Sequence, residues 1–159
     1  MFGIRVLNRF LAVCVFSMTV FGLSFASSST GHVTEVLKID GAQGTKSFNV
    51  EVVRGEKDRN RGLMFRRQMA ADHGMLFDYD PPQVIGFWMK NTYIKLDIMF
   101  IDADGRIIRI EENATPLSLR HIPSGGAARG VLEINGGLSA KLGFRAGDLV
   151  HNALFHTAK

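Results

Sequence analysis

Apolar and polar residues alternate with period two along Phe48-Asn49-Val50-Glu51-Val52-Val53, a pattern that predicts a strand with one wet face. Val33 to Ile39 reads as a candidate edge strand, closed by Asp40-Gly41 and Gly44. Gly41 to Lys46 lacks the spacing and the lysine of a phosphate loop. From Glu56 to Met64 charged residues dominate and no residue is β-branched, which predicts a short exposed helix or turn broken at Gly62. Gly74-Met75-Leu76-Phe77 is a short apolar run punctuated by Asp80-Pro81-Pro82, and Val84 to Met89 resumes the strand pattern.

Leu96 to Ile101 and Arg106 to Ile110 flank Asp102-Ala103-Asp104-Gly105, a hairpin signal with glycine where φ must be positive. Asn113 to Ala128 holds Pro116, Pro123, Gly125 and Gly126 but few large apolar residues, and reads as a long surface loop. Val131 to Ile134 is the next strand, and Ser139 to Leu142 forms one helical turn capped by Gly143. Arg145 to Asp148 is a turn feeding Leu149-Val150, with room for one further strand before Lys159. Many short strands without long helices between them predict an antiparallel sandwich or barrel.

The first segment stands apart from this pattern. Arg5 and Arg9 precede a charge-free apolar run, Phe10 to Phe25, that ends in Ser24-Phe25-Ala26, the small-x-small pattern a signal peptidase reads. Cleavage after Ala26 is expected; an uncleaved anchor is the alternative, diluted by Ser17, Thr19, Gly22 and Ser24. The expected organisation is a signal peptide at 1–26, a tether and edge strand at 27–46 and a single β domain at 47–159, periplasmic or secreted, with no membrane span after cleavage. The sole cysteine, Cys14, leaves with the signal, so neither disulfides nor thiolate chemistry remain. The whole chain carries +4, from 19 basic and 15 acidic residues, and loses Arg5 and Arg9 on cleavage to leave +2. That is no nucleic-acid footprint.

The motifs Arg61-Gly62-Leu63-Met64 with Arg66, Gly74-Met75-Leu76-Phe77, Phe87-Trp88-Met89-Lys90-Asn91-Thr92, Leu96-Asp97-Ile98 with Phe100-Ile101-Asp102, Val131-Leu132-Glu133, and Leu142-Gly143 with Gly147-Asp148 run in order from about Phe48 to Val150. In this the chain resembles the domain of unknown function 192 family. The resemblance implies an all-β, jelly-roll-like antiparallel sandwich with one or two short helices, in small exported or membrane-attached prokaryotic proteins. It implies no activity. Many members carry a cysteine near the position of Leu117, where this chain reads Pro116-Leu117-Ser118, so no thiol role transfers to it.

Phe87 to Thr92 sets the only tryptophan of the chain beside a thioether, an ammonium and a carboxamide. Trp88 suits stacking on a ring or a sugar face, Asn91 offers donor and acceptor to hydroxyls, and Lys90 reaches for an anionic group. Asp97 and Glu133 lie inside apolar strands, so alternation turns each away from its neighbours, either to solvent or to a concave face where Lys90 or Arg61 would pair with it. Arg59, Arg61, Arg66 and Arg67 make the predicted helix or turn locally basic, as a solvated helix face or an anion or partner contact.

A Gly-x-Ser-x-Gly elbow and a His-Glu-x-x-His motif are both missing, and the five histidines are scattered. The leading expectation is therefore a non-catalytic binding or accessory domain of the cell envelope, without a cofactor, whose ligand meets Arg61, Trp88, Lys90, Asn91, Asp97 and Glu133. A carboxylate-dependent glycan hydrolase using Asp97 and Glu133 is the rival. Cu(I) held by the thioethers of Met64, Met75 and Met89 is a third reading, set against the use of methionine as core filler.

Overall fold

The structure, a computed structural model, describes residues 32–156. Seven strands form one sheet: β1 (Val33–Gly41), β2 (Gly44–Val53), β3 (His73–Phe87), β4 (Leu96–Ile101), β5 (Ile107–Ala114), β6 (Ile122–Asn135) and β7 (Leu149–His151). Two short helices accompany them, α1 (Glu56–Arg61) and α2 (Leu138–Leu142). The strand order is β5-β4-β6-β3-β2-β1-β7. The sheet curls until its ends meet: Arg106 bridges Leu149, the Ile107 N–H donates to Asp148 O at 3.0 Å, and the Val150 N–H donates to Gly105 O at 2.7 Å.

The fold is thus all-β with two short helices, as expected, but its strands make one curled sheet in place of two packed sheets. One pair also departs from the antiparallel expectation. β2 and β3 run parallel, because α1 and the segment after it carry the chain back across the sheet before β3 begins.

Three local expectations are corrected. β1 is not an edge along its whole length, since Lys38 to Asp40 pair with β7 while Val33 and Val36 stay exposed. Asp80-Pro81-Pro82 does not end a strand. The prolines, which lack N–H donors, lie in a register shift between Asp78 and Gln83 where β3 makes no ladder with β6, so the strand passes through them. The loop expected from Asn113 to Ala128 shrinks to a link between β5 and β6, because Pro123 to Ala128 extend β6 alongside the far end of β3. Gly125 takes φ +77 there.

Both faces of the sheet are covered where β3, β4 and β6 adjoin. One face turns into the curl, where Leu76, Met99, Leu132 and Ile134 pack with Leu37, Val50 and Val150. The other, with Met75, Phe77, Ile98, Phe100 and Val131, is roofed by Leu63 and Met89 from the connecting segments and by Ile122 at the start of β6. Where they adjoin, the strands therefore read as near-continuous apolar runs, and Asp97 and Glu133 are both buried although they point opposite ways. Among the described residues no helix is long and apolar enough to cross a membrane. The expected signal segment lies outside them.

Candidate functional site

The chain ends α1 at Gly62, whose φ of +47 turns it back toward the sheet. A Cβ there would lie 3.2 Å from the Phe77 ring, so a side chain would hold the turn off the strand. The turn buries Leu63 and brings Met64 to Arg66 over β3 and β6. Arg66 anchors it with a two-pronged bond to Glu51 of β2, at 2.5 and 2.6 Å, and His32 Nδ1 approaches the same carboxylate at 3.1 Å. That pairing with Arg66 holds the Glu51 carboxyl below its ordinary range.

Two further segments lock onto this turn through main-chain bonds. The Phe65 N–H donates to Asn91 O at 2.8 Å, Leu117 N–H to Thr92 O at 3.1 Å, and Met89 N–H to Ser118 O at 3.0 Å. Phe65, Asn91 and Leu117 all carry positive φ, at 66°, 56° and 62°. For Phe and Leu this is a strained conformation, of the kind that clusters at functional sites.

Between the α1 turn and the end of β3 opens a cavity of about 160 Å³. Its walls include Arg59, Arg61, Met64, Tyr79, Phe87 and Trp88, and Glu133 belongs to its lining. Glu133 faces Met75 on β3 and Ile98 on β4, which places it on the roofed face of the sheet. It is 4% exposed, and its Oε2 has no hydrogen-bond partner among the described residues. Burial pushes its carboxyl up to about 8, with the nearby Arg66 charge working in the opposite direction. Glu133 is therefore a neutral acid at neutral pH, able to donate one hydrogen bond and accept others.

The cations around it differ in freedom. Arg66 is spent on Glu51. Arg59 donates to the carbonyls of Arg54 and Asp78, at 2.5 and 3.1 Å, and its guanidinium lies 5.0 Å from the Tyr79 ring centre. Burial raises the Tyr79 phenol above its ordinary range despite that positive neighbour. Arg61 is exposed on the cavity wall and makes no ion pair with the described residues.

Of the six residues expected to meet a ligand, the structure gathers Arg61, Trp88 and Glu133 at this cavity. Trp88 is half exposed, and Lys90, which is not part of the cavity lining, holds its Nζ 5.2 Å from the Trp88 ring centre. Asn91 supports the wall: its main-chain oxygen holds Phe65, and its carboxamide reaches Met64 Sδ at 3.9 Å.

Asp97 is elsewhere. Its register partner is Ile134, so it points to the inside of the curl. There it accepts from the N–H groups of Asn113, Gly137 and Ser139, each at 2.8 Å, and from Ser139 Oγ at 2.5 Å. Every lone pair has a donor, so Asp97 ties α2 and the end of β5 to β4. It pairs with neither Lys90 nor Arg61.

Two carboxylates on opposite faces of one sheet cannot flank a scissile bond, so the hydrolase reading loses its geometry. The methionine reading loses its ligands too. Met75 and Met89 are 0% and 1% exposed within the apolar roofed cluster, and only Met64 reaches the cavity. Arg59 and Tyr79 complete the site beyond the expected residues. Arg59 had a signal, the arginine-rich stretch; Tyr79 had none, because it falls between the apolar run that ends at Phe77 and the breaker Asp80-Pro81-Pro82.

The fold is an all-β domain of one curled sheet with two short helices, and the buried acid Glu133 lines its cavity. The chain belongs to the DUF192 family (uncharacterized ACR, COG1430), whose model matches residues 36–152. A protein of unknown function from Novosphingobium aromaticivorans is 39% identical, with 75% of this chain and 85% of that chain covered and a TM-score of 0.74. A suggested transcription regulator from Sinorhizobium meliloti is 41% identical over 80% of this chain and 99% of that one, with a TM-score of 0.77. No curated protein matches the chain.

Proposed function

We propose that the protein is a binding domain of the cell envelope and that the Glu133 cavity takes a small polar ligand. The observation that carries the reading is the buried, unpartnered Oε2 of Glu133 in the cavity lining. A buried polar atom without a partner costs about 1–3 kcal/mol, and a ligand hydroxyl or acid group that meets it recovers that cost. Trp88 offers a face for a flat or sugar-like ring, Arg61 offers charge on the wall, and Lys90 lies over the Trp88 ring.

Binding is favoured over catalysis because neither a second carboxylate nor a histidine lines the cavity beside Glu133, and Asp97 is fully engaged on the other face. Export is supported by the basic start at Arg5 and Arg9, the apolar run from Phe10 and the Ser24-Phe25-Ala26 motif.

The test is a thermal-shift screen with glucose, glucosamine, glucuronate, benzyl alcohol and peptidoglycan fragments, read beside the emission of Trp88, the only tryptophan. A compound of this panel raises the melting temperature and perturbs the emission, and Glu133→Ala loses both effects. Equal responses in wild type and Glu133→Ala would overturn the assignment. Intact mass of the exported protein tests the compartment, with loss of residues 1–26 as the expected result.

A further inference from the structure

We infer that the ligand group seated on Glu133 is an oxyanion, a carboxylate or a phosphate, which accepts a hydrogen bond from the Glu133 carboxyl while the Arg61 guanidinium neutralises its charge. This rests on the Glu133 cavity being the binding site. An ionised carboxylate in this position would have only acceptor oxygens, and a cationic ligand would be its natural partner. The cavity is built against that outcome. Arginines 59 and 61 stand in its wall, Arg66 lies close behind, and Lys90 sits over the Trp88 ring.

The titratable groups facing Glu133 confirm the sign. From α1 and its turn come Arg59, Arg61 and Arg66; from β3 comes Tyr79, neutral and held under Arg59. β2 contributes Glu51, whose charge is matched by Arg66. β4 presents only Ile98 opposite Glu133. Beside Glu133, the cavity lining holds no other carboxylate.

An acid that burial keeps protonated has become a donor, and its counterpart is an oxygen rich in electron density. Of the two wall arginines, the Arg61 side chain makes neither a hydrogen bond nor an ion pair with the described residues, whereas Arg59 is positioned by two carbonyls on Nη1 and by the Tyr79 ring face. The planar fork of Arg61 suits a carboxylate or phosphate edge. Two carboxyl groups sharing one proton bind most tightly while that proton is present, so association takes up a proton wherever Glu133 is partly ionised beforehand.

The experiment titrates the full chain with inorganic phosphate, glucuronate and benzoate, against glucose, glucosamine, benzyl alcohol and benzylamine as neutral and cationic counterparts. Melting temperature and Trp88 emission are read from pH 6 to 9.5. The anions stabilise the protein and their neutral and cationic counterparts do so less, and affinity for the anions falls by up to about tenfold per pH unit above pH 8. Glu133→Gln, which keeps an N–H donor, still binds the anions but without that fall. Arg61→Met binds them at least about tenfold more weakly.

Tighter binding of glucose, benzyl alcohol or the amines than of the anions overturns the oxyanion and leaves the pocket standing. No response to any anion overturns it as well. If no member of either series separates wild type from Glu133→Ala, the pocket itself falls.

Discussion

Asp97 and Glu133, on neighbouring strands, point to opposite faces of the same sheet: Asp97 pairs with Ile134, and Glu133 with Ile98, in the antiparallel register of β4 and β6. A shift of one residue in that register would have put both on one side. The two acids are both buried and chemically opposite. Asp97 is surrounded by four donors, whereas Glu133 Oε2 has none. The first holds the fold together, and the second is available to a ligand.

The Glu133 proton makes stability depend on pH. The unfolded carboxyl titrates near 4.5 and the folded one at about 8. Between those values the native state binds more protons than the unfolded chain, so stability falls as pH rises, by at most about 1.4 kcal/mol per unit, and levels off above 8. Glu133→Gln flattens this decline and is the more stable protein at pH 8. Urea denaturation at pH 5, 6.5 and 8 measures it; a wild-type slope in the variant would show that another group carries the effect. Glu51, held low by Arg66, acts in a separate window, with its stabilisation lost as pH falls below about 4.5.

Asp97→Asn replaces one acceptor oxygen with an amide nitrogen that faces main-chain N–H groups. The expected cost is about 2–4 kcal/mol, from charge-assisted bonds lost and donors left unmatched inside the curl. Because the cavity lies on the other face, the Trp88 emission response to cavity ligands survives in the folded fraction. A loss of binding out of proportion to unfolding would place Asp97 in the site after all.

Gly74 faces Ile134 across β3 and β6, and a Cβ on it would lie 2.7 Å from the main-chain oxygen of Glu133. Backbone cannot swing aside as a side chain does. Gly74→Ala is expected to cost about 1–3 kcal/mol and to displace Glu133, bringing its titration back toward that of an ordinary carboxylic acid. A melting temperature and a Glu133 carboxyl NMR titration both unchanged from wild type would contradict this.

Leu117 is more than half exposed, at 57%, and holds φ +62 to give its N–H to Thr92. A left-handed leucine costs about 1–2 kcal/mol, and asparagine tolerates that conformation better. Leu117→Asn should therefore raise stability, by up to about 1 kcal/mol, with little apolar burial lost. A fall in the denaturation midpoint would mean that the leucine side chain contributes more than its exposure indicates.

Much of the fold was legible because its signals are local. Gly105 marked the hairpin between β4 and β5, Gly62 the end of α1 and Gly143 the cap of α2, each by a positive φ that the flanking pattern required. The errors arose where a local breaker meets a long-range partner. Pro81-Pro82 and Pro123 look like loop residues, and only the pairing of β3 with β6 makes them strand. The site divided in the same way. Trp88, Glu133 and Arg61 stand out by type in an apolar or glycine-flanked setting, but the face on which an acid lies follows from register, which no neighbour in the sequence specifies. Asp97 and Glu133 were indistinguishable by context and have unlike roles.

β7 is three residues long and hydrogen-bonded on both flanks, to β1 along Lys38 to Asp40 and to the start of β5 around Gly105 and Ile107. So short an element works as a seam. A chain ending before Leu149 would bare the ladder groups of two strands at once, and exposed ladders recruit other chains. β7 covers these ladder groups, so a nick before Leu149 is expected to show first as aggregation rather than as lost binding.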